Sequence, residues 1–165
     1  MNALKNNASI DIRPATLSDL AAVSALEQQV FATAVYPDFF FRQAYDSWPD
    51  FFILAWQDDH LLGYLLAAPS QQGLHRVGIL SLAVLKNSRG LGVGKSLLQY
   101  LLVHACATTR EFWLTVAPDN LPALQLYEKS GFIRQNYTED YYGEGEGRWV
   151  LVKQRGDELQ KKNTQ

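Results

Sequence analysis

Two rhythms of apolar residues run through this chain. One has a period of two, as in a strand, and the other a period near 3.6, as in a helix. Ile10 and Ile12 alternate with polar neighbours up to Pro14, which predicts a short first strand. From Thr16, the positions Leu20, Val23, Ala25, Leu26 and Val30 recur at helical spacing. Thr16 with Asp19 three residues on reads as the start of that helix. Past Pro37, residues 38–48 form a second short helix with Phe40, Phe41 and Tyr45 available to pack. Residues 51–56 (FFILAW) and 61–68 (LLGYLLAA) are strongly apolar and flank the turn QDDH, which predicts a hairpin.

Residues 77–85 (VGILSLAVL) are almost entirely apolar, so this strand is expected to be covered on both faces. Glycine-rich residues 88–94 follow. Then Val93, Leu97, Leu98, Leu101, Leu102 and Ala105 mark an amphipathic helix. Residues 111–117 (EFWLTVA) are the next strand. In residues 119–131 (DNLPALQLYEKSG), Asn120 is a cap, Pro122 lies in the first turn and Gly131 is a left-handed terminator. Residues 132–142 and 148–153 read as two last strands around the turn GEGEG. The order is β-α-α-β-β-β-α-β-α-β-β. It predicts a mixed, mostly antiparallel α/β sheet of the α+β type with one parallel pair in the middle.

Composition narrows the function classes. The chain has 165 residues, 47% hydrophobic and 19% charged, which fits one domain over residues 8–153 with a polar, frayed tail at 154–165. The net charge of −2 offers no basic face for nucleic acid. The single cysteine, Cys106, excludes an intrachain disulfide or a thiolate metal cluster and reads as a packed helix residue. His75 and His104 have no partner at metal-ligand spacing, so no metal is expected. The polar start MNALKNNAS has no signal-peptide core, and no apolar run nears the ~20 residues of a membrane span. A soluble cytoplasmic protein with no membrane partner is the expectation.

The stretch SRGLGVGKS, residues 88–96, carries the candidate chemistry. It ends like a P-loop, but the glycine that a P-loop needs falls on Arg89. It also fails as a dinucleotide fingerprint, since the third glycine lands on Lys95 or Leu97 depending on the start. A nucleoside-triphosphate binder is therefore disfavoured. What remains is a buried strand, a glycine turn and a helix start. Glycines let backbone N–H groups approach a ligand, and the helix start adds unpaired donors and a partial positive charge. That arrangement suits a phosphate or pyrophosphate.

Arg89-Gly90-Leu91-Gly92-Val93-Gly94 resembles the Arg/Gln-x-x-Gly-x-Gly/Ala signature of the GNAT N-acetyltransferases. Residues 120–132 (NLPALQLYEKSGF) are similar to that family's Asn-x-x-Ala-x-x-Leu-Tyr-x-x-x-Gly-Phe element. The resemblance covers roughly residues 10–153 and is strongest over 78–132. It implies the GNAT fold, with a splayed parallel strand pair and helices on both faces of the sheet. It implies acetyl-CoA as co-substrate. The pyrophosphate would lie on the N–H groups of Arg89, Gly90, Leu91, Gly92, Val93, Gly94 and Lys95. The pantetheine arm would run along Leu82, Ala83 and Val84, and Asn120 would sit near the thiol end.

The implied reaction is attack of a neutral amine on the acetyl thioester. Tyr127 matches the family's general acid. Glu27, residues 36–43 (YPDFFFRQ) and residues 141–146 (YYGEGE) resemble the protein N-terminal acetyltransferase branch, of the ribosomal-protein alanine type. Some members of that branch carry Glu or His where this chain has Thr115. Thr115 is no base, though it could position a water; Glu27 is a candidate base, Glu139 and Asp140 are weaker ones, and free amine arriving by simple equilibrium with no dedicated base is the alternative. Tyr141 and Tyr142 would help hold the acceptor's N-terminal backbone. Gly147-Arg148 departs from an acidic–small pair often seen there. The acceptor is thus a protein N-terminus or a small amine, and the protein a monomer or homodimer. A non-catalytic acetyl-CoA-binding module is the competing reading.

Overall fold

The computed structural model describes residues 9–31, 33–71 and 75–156. The polar N-terminal segment and residues 157–165 of the tail lie outside them. The strands are β1 (Asp11–Pro14), β2 (Phe52–Gln57), β3 (His60–Ser70), β4 (Arg76–Val84), β5 (Glu111–Val116), β6 (Ile133–Thr138) and β7 (Arg148–Gln154). The helices are α1 (Leu20–Val30), α2 (Asp38–Ser47), α3 (Val93–His104) and α4 (Leu121–Lys129). The element order is the one the apolar rhythm predicts. The strands form one sheet in the order β1-β2-β3-β4-β5-β7-β6. The β4–β5 pair is parallel, while β1–β2, β2–β3, β5–β7 and β6–β7 are antiparallel. Among the described residues no helix is long and apolar enough to cross a membrane.

The chain forms two compact units. One comprises Met1–Leu66 and Ser81–Val103, the other Ala67–Leu80 and His104–Gln165. The first unit has a core of Val23 and Leu26 from α1, Phe41 and Ala44 from α2, and Phe52, Leu54, Tyr64 and Leu66 from the strands. Its aromatic rings interlock, with Tyr64 edge-on to both Phe41 and Phe52. Successive residues of a strand face opposite ways. Tyr64 therefore meets α2, while a Cβ at Gly63 would lie 3.3 Å from Val93 at the start of α3 and 2.6 Å from the Ala83 carbonyl. Helices cover both faces of this unit, and Gly63 is what allows α3 to begin so close to the sheet.

The entry to α1 is tied down. Thr16 and Asp19 form a capping box in which the Thr16 N–H and hydroxyl both donate to the Asp19 carboxylate, at 2.7 and 2.8 Å. The turn they cap is 3₁₀, and the α-helix proper starts at Leu20. Arg13 on β1 grips the same carboxylate at 2.8 and 3.1 Å. With the Thr16 bonds, this pair holds the Asp19 carboxyl at a pKa of about 2 against its partial burial.

In the second unit, Phe112, Leu114 and Val116 alternate inward along β5, with Leu151 and Val152 of β7 also buried. Asn120 caps α4 through a 3.3 Å bond from the Ala123 N–H. Gly131 ends that helix at φ +90°.

Several expectations need correction. β4 is not covered along its whole length: Val77, Gly78 and Ile79 are buried, but Leu80 is 39% exposed and Leu82 half-buried. The parallel ladder ends at Ile79–Leu114 while β4 runs on to Val84, and beyond it only Ala83 is fully buried. β6 stops at Thr138, so Tyr141 and Tyr142 belong to a turn rather than a strand. Cys106 lies past the end of α3 and is exposed, not packed. The tail does not fray from residue 154, because Gln154 ends β7 and the Arg155 guanidinium donates to the Cys106 carbonyl at 2.7 Å.

Candidate active site

In the first unit, β4 leads through a 3₁₀ turn at Lys86–Ser88 into the glycine-rich loop and α3. The loop is anchored at its root by the Leu85 N–H, which donates to the Leu62 carbonyl at 2.9 Å. Gly90 and Gly92 have φ of +83° and +80°, a region that L side chains rarely enter. A Cβ at either would meet no atom within 4 Å. These glycines are therefore required by backbone conformation and not by neighbouring side chains. Arg89, Leu91 and Lys95 are exposed around them, while Val93 is buried on Gly63.

The first bond of the α3 ladder runs from the Ser96 N–H to the Gly92 carbonyl. Hence the N–H groups of Val93, Gly94 and Lys95 precede the ladder and point out of the helix start, as the first turn of any helix requires. The donors and the partial charge of the helix N-terminus fit a diphosphate-sized anion. Leu82, Ala83 and Val84 lie immediately upstream, on the part of β4 beyond the β5 ladder.

The same unit holds a buried polar chain. Glu27 sits on the apolar face of α1 and is 1% exposed. Its Oε1 accepts the Tyr36 N–H at 3.0 Å, and its Oε2 accepts the Tyr64 hydroxyl at 2.6 Å. The Tyr64 hydroxyl oxygen lies 2.9 Å from Ser81 Oγ on β4. An amine cannot reach the Glu27 carboxylate directly, since its oxygens are enclosed by these partners.

In the second unit, Tyr127 is 6% exposed, its ring edge-on to Phe132. Its hydroxyl has no hydrogen-bond partner among the described residues, yet it is not one of the orphaned, fully enclosed polar atoms, which are the indole nitrogens of Trp56 and Trp113. The phenol oxygen thus keeps contact with solvent at the end of a buried ring. Burial pushes its pKa above the ordinary tyrosine range, so the group stays protonated at neutral pH and is a weaker acid than an exposed phenol. Asn120 is exposed, its side-chain oxygen engaged in the α4 cap.

Thr115 and Tyr142 belong to this unit as well, and their hydroxyls lie 3.1 Å apart. The Arg148 guanidinium stacks 5.0 Å above the Tyr142 ring, and Tyr141 meets that ring edge-on. Asp140 caps the turn by accepting the Gly145 N–H at 2.8 Å.

A model of the acetyltransferase (GNAT) family matches residues 20–132, spanning both the glycine loop and the Tyr127 helix. The chain belongs to the GNAT acetyltransferase family. An N-alpha-acetyltransferase of Sulfolobus acidocaldarius is 31% identical over 162 residues, covering 90% of this chain and 94% of that one. The structure of Arabidopsis thaliana Naa50 in complex with the bisubstrate analogue CoA-Ac-MVNAL has a TM-score of 0.75 at 27% identity, covering 88% of this chain and 98% of that one. Ard1 from Thermoplasma volcanium shares the fold, with a TM-score of 0.79 at 22% identity over 88% of this chain and 97% of that one. Within the GNAT family the similarity is thus to the N-terminal acetyltransferase branch, and the chain is an N-acetyltransferase.

Against this GNAT background, Tyr64 and Ser81 are the polar residues that sequence reasoning missed. Tyr64 reads as core in the run LLGYLLAA, and Ser81 as a neutral interruption of an apolar strand. One signal was available. Glu27 falls between Val23 and Val30 on a helical stripe otherwise apolar, and a carboxyl there must find a buried donor.

Proposed function

We propose that this GNAT enzyme transfers the acetyl group of acetyl-CoA to the α-amine of a protein or peptide N-terminus. The observation that carries the reading is the loop between β4 and α3. Two left-handed glycines open onto free space, and three N–H groups lie ahead of the helix ladder. In this reading the acetyl-CoA pyrophosphate takes the donors from Gly90 to Lys95, the expected Arg89 N–H being engaged by the Lys86 carbonyl at 3.4 Å. The pantetheine amides pair with β4 at Leu82–Val84, beyond the β5 ladder, and Asn120 serves the thiol end. The N-alpha-acetyltransferase relatives and the peptide-bearing analogue bound to Arabidopsis Naa50 support an N-terminal acceptor.

The chemistry follows from the groups present. A neutral amine nitrogen attacks the acetyl carbon, the new N–C bond forms and the C–S bond breaks. The departing thiolate, whose conjugate acid has a pKa near ~8.5, takes its proton from the Tyr127 phenol. The acceptor arrives as an ammonium: Glu27 is the base of this reading and takes that proton, and the proton the nitrogen sheds after attack replaces the one Tyr127 gives to the thiolate. Tyr141 and Tyr142 hold the acceptor's backbone on the turn after β6, with Thr115 fixing the Tyr142 hydroxyl.

The test is calorimetric and thermal-shift titration with acetyl-CoA, CoA and ATP, followed by mass-spectrometric assay of peptides with free and blocked N-termini. Stabilisation by acetyl-CoA and CoA but not ATP, with acetylation of free N-termini alone, is the expected result. Acetyl-CoA binding without transfer to any peptide or small amine favours a binding module. No response to acetyl-CoA removes the reading.

A further inference from the structure

The Glu27–Tyr64–Ser81 chain has features that a loop tether does not need. A carboxyl 1% exposed, with no cation paired to it among the described residues, is a costly way to hold the Tyr36 N–H. A neutral amide would hold it through its carbonyl. The chain is also directional. Tyr64 has one hydroxyl proton, and it goes to Glu27 Oε2. The proton in the 2.9 Å contact with Ser81 must therefore come from Ser81 Oγ. Every donor points inward toward the carboxylate. At the outer end, Ser81 Oγ is left with lone pairs that can accept a further hydrogen bond. Tyr64 is wholly buried and Ser81 only partly, so the chain runs from an accessible serine to an enclosed carboxylate.

We infer that Ser81, Tyr64 and Glu27 form a proton relay that takes the proton from the acceptor's ammonium and leaves the neutral amine that attacks. The inference rests on the proposed acetyl transfer and supplies its missing connection, since no amine touches Glu27. Ser81 directly precedes the strand residues assigned to the acetyl-CoA arm, Leu82–Val84. The acceptor's ammonium N–H gives its proton to Ser81 Oγ. The Ser81 proton passes to Tyr64 Oη, and the Tyr64 proton passes to Glu27 Oε2. One N–H bond breaks, one carboxyl O–H bond forms, and both hydroxyls end as they began. The reverse shift returns the proton to water once the product amide has left. Burial and the neighbouring Glu27 carboxylate both hold Tyr64 far above the ordinary phenol range, so it conducts a proton in concert and never stands as a free phenolate. The titratable groups facing the chain are Glu27 from α1, Tyr64 from β3 and Tyr36 from the α1–α2 connection.

The experiment is the pH profile of kcat/KM, from pH 6 to 10, for a peptide with a free α-amine. It compares wild type with Ser81→Ala, Ser81→Thr and Tyr64→Phe, with acetyl-CoA affinity measured for each. Ser81→Ala removes only the outer link and leaves the Glu27–Tyr64 bond intact. It is expected to lower kcat/KM about 10-fold near pH 7, where about one-tenth of the α-amine is already neutral. The loss should close as the pH passes the α-amine's own pKa of about 8, where free amine arrives unaided. Ser81→Thr, which keeps the hydroxyl, should restore the wild-type profile, and acetyl-CoA affinity should stay unchanged throughout. Profiles for Ser81→Ala and Tyr64→Phe that run parallel to wild type, at whatever height, overturn the relay and leave Glu27 a tether. A wild type that binds acetyl-CoA but acetylates no amine overturns the proposed function, and the relay with it.

Discussion

The Thr115 and Tyr142 hydroxyls meet at 3.1 Å, joining β5 to the turn that follows β6. Tyr142 is 65% exposed, so this bond and the Arg148 guanidinium above the ring are what orient it. Thr115→Val keeps the shape and removes the bond, at a cost to stability of about 1 kcal/mol or less. The expected outcome is a several-fold rise in KM for a peptide acceptor, with kcat and acetyl-CoA affinity nearly unchanged. Steady-state kinetics checks it. A fall in kcat at constant KM would instead assign Thr115 to a water in the reaction path.

Tyr127 is the cleanest test of the acid. Its hydroxyl has no partner among the described residues to lose, and its ring packing against Phe132 survives replacement by phenylalanine. Tyr127→Phe is expected to lower kcat by ~10²–10⁴-fold. Stability should shift by about 0.5 kcal/mol or less. Acetyl-CoA binding by calorimetry should match wild type. An unaltered kcat would return Tyr127 to a packing role.

Gly92 separates backbone need from ligand need. Its φ of +80° makes any side chain cost about 1–2 kcal/mol, although a Cβ there would touch nothing. Gly92→Val should fold with a modestly lower Tm. It should also lose the acetyl-CoA-induced thermal shift, because the side chain projects into the space the pyrophosphate needs. A retained shift in the folded variant would move the phosphate site elsewhere.

The Arg13–Asp19 pair makes stability depend on acid. Asp19 has a folded pKa of about 2, below its ordinary 3.8, held there first by the Arg13 hydrogen bonds and then by Thr16. The native state therefore binds this proton less readily than the unfolded chain. The pair's contribution is complete above pH 4 and is lost as the pH falls toward 2. Because Arg13 is 36% exposed, about 1–2 kcal/mol is expected rather than the full shift. Asp19→Asn should lie below wild type in Tm at pH 7, and the two curves should converge near pH 2.

Much of this GNAT fold was legible in the sequence because local chemistry decides it. The cap Asn120, the terminator Gly131 and the loop glycines Gly90 and Gly92 act over a few residues, and each does in the structure what its residue type dictates. The same locality made the glycine-rich loop readable, since a helix start and positive φ need no distant partner. Tertiary structure alone decided the rest. Whether each β4 side chain is covered depends on what packs on its face, and an unbroken apolar run cannot announce that Leu80 opens to solvent while Ala83 is enclosed. Where β6 stops, and so whether Tyr142 lies on a strand or a turn, depends on the bonds of a nine-residue connection (139–147) and on Thr115, 27 positions away. The Glu27–Tyr64–Ser81 chain joins three elements across 37 and 17 positions. Hydrogen bonds between such residues leave no periodicity in the sequence, because folding, and not spacing, brings their atoms within 3 Å.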